Sequence, residues 1–320
     1  MTSGSGGHAG QGRSRVRRLL TRVRDASVCV YDLDVASEGA LEPAARFEVR
    51  PGDEVAGHAV APDLSRVVYA TQHVVVCLGR DGGEVWRYDL LPRSNEKYGH
   101  WPGCEFSLDG KTVWVYRPDG MANRADQDRW VVLSADSGEV IAQAELGTVG
   151  HGGEHHRHPN GVDILLDVGE GQDGVHIFRG VGDGLELLKY PWEDRCLIDL
   201  APDGRQFMTV YHDQSDVAFH SYPSGDVILE LSMEVFGHDP EEIFFQWSGG
   251  YLDADTAIVT VGGETEDEEE WHRHYRVDLR TGGVLGAFDA HSESAYDIEP
   301  LGDGTWLTSG SGSHPVRWTR

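Results

Sequence analysis

The chain has 320 residues, enough for one large domain or two ordinary ones, and a net charge of -27 whose field repels nucleic-acid phosphates and anionic lipid headgroups. Gly 41, Pro 13 and many short Val/Ile/Tyr/Trp runs, without a long helical spacing of apolar residues, favour an all-β protein rich in turns. No run approaches the length of a membrane span, so neither nucleic acid nor a membrane span is expected.

Residues 1–24 stand apart, with six arginines and no acid against the -33 that residues 25–320 then carry. MTSGSGGHAGQG is Gly/Ser-rich and lacks the apolar core of a secretory signal, and RSRVRRLLTRVR has only scattered Leu and Val. Residues 1–24 therefore read as a basic disordered tail or short helix whose removal should be nearly neutral, and residues 25–320 as a single domain. Cys29, Cys77, Cys104 and Cys196 are far apart, form no C-x-x-C pair and sit in apolar strands. They point to small buried hydrophobes in a reducing, cytoplasmic compartment.

Turn signals then recur along the chain: APDLS, SLDGK, HPNGV, APDGR, LDADT and LGDGT. Their Asp63, Asp109, Asn160, Asp203, Asp253 and Asp303 are spaced 46, 51, 43, 50 and 50 residues apart, a period that marks a repeat architecture. Each turn follows one short strand and precedes an apolar one, as in CLIDLAPDGRQFMTVY, and two further strands complete most units. A four-stranded antiparallel sheet of this size cannot hide both faces, so the copies must stack round a ring. The expected fold is a β-propeller of six blades of four antiparallel strands. The ring closes by pairing AARFEV (44–49) with the three-stranded C-terminal unit. SVCVYDL (27–33) is left over, which keeps seven blades open. Deleting residues 27–50 should expose an unpaired edge and unfold or aggregate the ring.

The Pro-Asp-Gly turns, the pairs Gly57-His58, Gly99-His100, Gly150-His151 and Gly237-His238, and strand-turn-strand segments such as LSADSGEVI resemble the WD40/YVTN-like β-propeller superfamily over about residues 27–320. The Trp-Asp ending of strict WD40 repeats is missing; YDL at 31–33 and VDL at 277–279 replace it only in part. The resemblance implies a protein-binding scaffold, monomeric on its own, and assigns the Gly-His histidines to tying down loops.

The run GHGGEHHRHPNG (150–161), with four histidines and a glutamate, has the residue types of a metal cage, but aligning the turns makes GEHHR the innermost strand of its unit. Side chains alternate along a strand, so with Ile198 and Leu200 facing neighbouring blades Asp199 points into the central channel. Matching positions are Glu105, His156, Glu299, Ala59 and, across a longer turn, Gln246. Three carboxylates and a histidine on one axis require a cation, waters or raised pKa values, which makes Glu105, His156, Asp199 and Glu299 candidate ligands of a divalent cation. The six-bladed calcium-dependent hydrolases keep a metal in such a tunnel; that likeness implies a metal-dependent hydrolase or lyase as the alternative, with a small-ligand sensor third. No other cofactor is expected and no catalytic residue is assigned, since neither G-x-x-x-x-G-K-[ST] nor G-x-S-x-G occurs. Trp101, Trp130, Trp192 and Trp271, with His272 beside the acidic run 264–270, fall on loops of one face and are the candidate partner-binding residues.

Overall fold

A computed structural model describes residues 17–35, 38–91, 100–265, 270–309 and 314–319. Seven antiparallel sheets follow one another round a central channel, six of four strands and one of three. Blade 1 comprises Leu19–Arg24, Ser27–Asp32 and Ala45–Glu48. The innermost strands of blades 2 to 7 are Gly57–Val60, Gly103–Phe106, Gly152–Arg157, Arg195–Leu200, Ile243–Tyr251 and Glu299–Pro300.

The aligned turns explain why the chain folds this way. In all six, the Asp or Asn side chain accepts the backbone N–H two residues on, at 2.9 to 3.2 Å. Such Asx turns fold the inner strand back onto the second. Gly110, Gly161 and Gly204 follow the Asp or Asn with φ of 72°, 80° and 70°, a conformation that glycine adopts without penalty.

Among the described residues there is no single core. Buried apolar residues form seven layers, one at each joint between neighbouring blades. Cys29, Cys77 and Cys104 are buried in two of them, and burial raises the Cys77 thiol to about 12. The four cysteines are unpaired.

Three expectations are corrected here. Seven blades replace six, because SVCVYDL is the middle strand of a blade of its own, with Ala45–Glu48 on one side and Leu19–Arg24 on the other. AARFEV therefore does not close the ring; Gly39–Ala40 does, pairing with Val316–Arg317. Leu19–Arg24 is neither tail nor helix. Asp25 and Ala26, at φ 47° and 56°, make a two-residue turn that lays this strand against Ser27–Asp32. Residues 1–16 of the expected tail lie outside the described residues. Arg317 locks the seam, donating to the Leu33 carbonyl at 2.8 Å and to Asp303 at 2.7 Å, while Arg18 reaches the same Asp303 at 2.8 Å.

Candidate functional site: the channel and its mouth

Glu105, Asp199 and Glu299 do hold matching posts, near the ends of the inner strands of blades 3, 5 and 7. Each turns to the blade that follows. Glu105 faces Arg157 of blade 4 at 3.7 Å. Asp199 accepts the Tyr251 backbone N–H of blade 6 at 2.7 Å and that of its own neighbour Leu200 at 2.7 Å. Glu299 pairs with Arg22 of blade 1. The carboxylates thus act as clasps between blades, and two of the three draw their counter-charge from arginine. Gly250 makes room for one clasp, since a Cβ there would stand 2.5 Å from Asp199 Oδ2.

His156, Asp199 and Glu299 line one cavity of about 410 Å³, whereas Glu105 lines an adjoining depression of about 440 Å³. Burial, reinforced by Glu299, pushes the Asp199 carboxyl up to about 7. Burial also raises Glu105, against the pull of Arg157, and holds His156 below the usual histidine range. Among the described residues no three His, Cys, Asp or Glu groups stand where they could hold a metal ion together. Ala59 is buried, and Gln246 lines a third depression of about 400 Å³.

The aromatic residues divide. Trp101 is 43% exposed at the start of the blade 3 inner strand. Trp271 and His272 are half-buried and line the depression beside Gln246, where His272 Nε2 lies 3.3 Å from the Ser292 hydroxyl. Trp130 is fully buried, 4.8 Å from the Trp114 ring, and donates to His155 Nε2 at 2.9 Å. It is therefore a core residue and not a partner contact. Trp192 packs between Tyr190, at 5.1 Å, and His220, at 4.4 Å. The strand position of Trp130 and the neighbouring tyrosine of Trp192 are what turn these two inward. Of the acidic run, residues 266–269 lie outside the described residues.

Three residues at the channel mouth escaped the sequence reading. Arg22 was counted with the tail. Tyr296, 57% exposed, sits in the segment leading to Glu299. Trp247, 38% exposed, lies where three residues, 246–248, interrupt the pairing of the blade 6 inner strand. Its signal in the sequence was the longer FFQWSGGY segment, which blurred the register at Gln246. Of the Gly-His histidines, His238 fixes its loop as expected, bonding Tyr275 at 2.7 Å, whereas His58 stands in a strand and bonds Thr21 of blade 1 at 2.9 Å, joining two blades rather than tying down a loop.

No family model and no curated protein matches the sequence. Solved structures do. The β-propeller domain of Cps50 (Swd1) from Myceliophteria thermophila aligns at 12% identity and TM-score 0.50, covering 80% of this chain and 79% of that one. BamB from Moraxella catarrhalis aligns at 10% identity and TM-score 0.52, over 96% and 92% of the two chains. The dihydro-heme d1 dehydrogenase NirN aligns at 13% identity and TM-score 0.55, and 93% of this propeller spans 59% of that chain. At such identities the likeness covers the fold, and the fold carries many functions.

Proposed function

We propose that this propeller is a non-catalytic binding scaffold that docks a protein or peptide at the mouth of its channel. The observation that carries the reading is the exposure of Trp101, Trp247 and Tyr296 round that mouth, at 43%, 38% and 57%. Large aromatic side chains supply much of the binding energy at protein interfaces, each worth about 2 kcal/mol or more when it is an anchor. The named neighbour Swd1 is a propeller domain as well, though NirN shows that the fold also serves a dehydrogenase. No helix among the described residues is long and apolar enough to cross a membrane, and four unpaired cysteines suit a reducing compartment such as the cytoplasm. The test is capture of a stoichiometric partner from native lysate by the full chain. Trp101→Ala with Trp247→Ala should lose that partner while the ring stays folded; retention of the partner at full yield overturns the reading.

A second reading, a cation-dependent hydrolase or lyase, draws on His156, Asp199 and Glu299 sharing one cavity. Elemental analysis of the purified protein decides it. A bound divalent metal that Asp199→Ala releases supports it, and metal-free protein ends it.

A further inference from the structure

Beside the clasps, blade 4 carries a cluster of which the readings above use only His156. Glu154 and His156 are two residues apart on its inner strand and so share a face, and Asp167 stands directly opposite Glu154 on the next strand. Asp167 Oδ2 accepts the Leu197 backbone N–H of blade 5 at 3.1 Å, but its Oδ1 is buried without a hydrogen-bond partner. His156 Nε2 is buried and unpartnered too. Buried polar atoms are nearly always paired, so Asp167 Oδ1 beside the exposed Glu154 carboxylate calls for a ligand. Glu154 lines all three adjoining hollows, of about 410, 540 and 440 Å³, and Trp247 of blade 6 lines the first two. The largest of them has glycine backbone along its wall, at Gly152, Gly153 and Gly169.

We propose that this hollow binds a primary ammonium group carried on a short apolar chain. An ammonium group has three donors and no acceptor; two of them match the Glu154 carboxylate and Asp167 Oδ1, which line this hollow together, and the third faces solvent. The Trp247 ring adds the attraction of its π face for a cation, and the glycine wall leaves room for the chain. Anions are disfavoured by the surrounding carboxylates, and a bare metal ion lacks a convergent set of three ligands among the described residues. The ammonium group could belong to a free alkylamine or to a lysine side chain, and the site stands whether or not the rim docks a protein.

Titration calorimetry of the full chain with n-butylamine, and separately with a capped peptide containing one lysine, tests the proposal and identifies the source. At least one should bind saturably, while 1-butanol and the same peptide with norleucine should not. Glu154→Gln should weaken binding by about tenfold or more, as should Trp247→Ala. Glu154 is exposed, so Glu154→Gln should keep the parent melting temperature. Absence of saturable heat with both amines overturns the proposal, as does equal binding by the alcohol or by Glu154→Gln. Trp101→Ala alone, which does not line this hollow, should by contrast leave amine binding unchanged whether or not it loses the rim partner.

Discussion

Asp199 accepts two backbone N–H groups belonging to two blades, yet its carboxyl titrates at about 7 rather than the usual 3.8. Desolvation outweighs the two hydrogen bonds, with Glu299 adding repulsion. The folded-state value lies above the unfolded one, so the folded protein binds the proton more tightly and this group's contribution falls as pH rises from about 4 to 7. At 1.36 kcal/mol per unit, the loss is at most about 4 kcal/mol. Asp199→Asn removes the titration, and it also leaves one backbone N–H poorly met, at a cost of about 1–3 kcal/mol. In urea unfolding the variant should therefore be weaker than the parent at pH 5 and recover relative to it by about 2 kcal/mol at pH 8. A gap that does not change with pH would show that Asp199 is already ionised when folded.

At the scale of the element, the decisive strand is Leu19–Arg24. Two residues of its turn with Ser27–Asp32, Asp25 and Ala26, adopt left-handed conformations, and both are exposed. A side chain costs about 1–2 kcal/mol there against roughly 0.5–1 for the entropy of glycine, so Ala26→Gly should raise stability by about 0.5–1 kcal/mol, read from its urea midpoint. The strand also brings in Arg22 for Glu299 and Thr21 for His58. Removing residues 1–24 should thus be far from neutral: sizing and circular dichroism should show an open or aggregated ring with an uncovered blade 1. A truncated chain as heat-stable as the parent would contradict that. The sequence reading missed this strand for a physical reason, since a run with four arginines in eight residues carries no two-residue apolar alternation and its turn lacks the glycine that marks a tight hairpin. The closing strand, Gly39–Ala40, is too short for any periodicity, which left AARFEV as the visible but mistaken choice.

For the whole molecule, the Asx turns were legible because one short-range hydrogen bond recurs at nearly constant spacing, and through them the matching posts of Glu105, Asp199 and Glu299 could be read. What they touch could not, because Arg157, Arg22 and the Tyr251 backbone come from neighbouring blades whose register no local pattern reports. The same joints set the response to acid. His58, His220 and His274 are lowered to about 4 and His155 to about 3, in each case chiefly by burial. A histidine lowered in the folded state stays neutral there while the unfolded chain takes up a proton, so stability is lost as pH falls from about 6.5 to 4. Asp199 works in the opposite direction over much of that range. Each of the four histidines is nevertheless worth up to about 3–5 kcal/mol across its gap, so together they outweigh it. Two of them bridge blades: His58 bonds Thr21, and His155 accepts from Trp130, a bond that protonation of its Nε2 would break. Urea midpoints should therefore fall steadily between pH 6.5 and 4.5, with indole fluorescence reporting the opening of the Trp130 joint. His155→Gln should flatten part of that slope. A midpoint constant over this range would mean that the four imidazoles are solvated in the folded ring, and that their joints do not hold it shut.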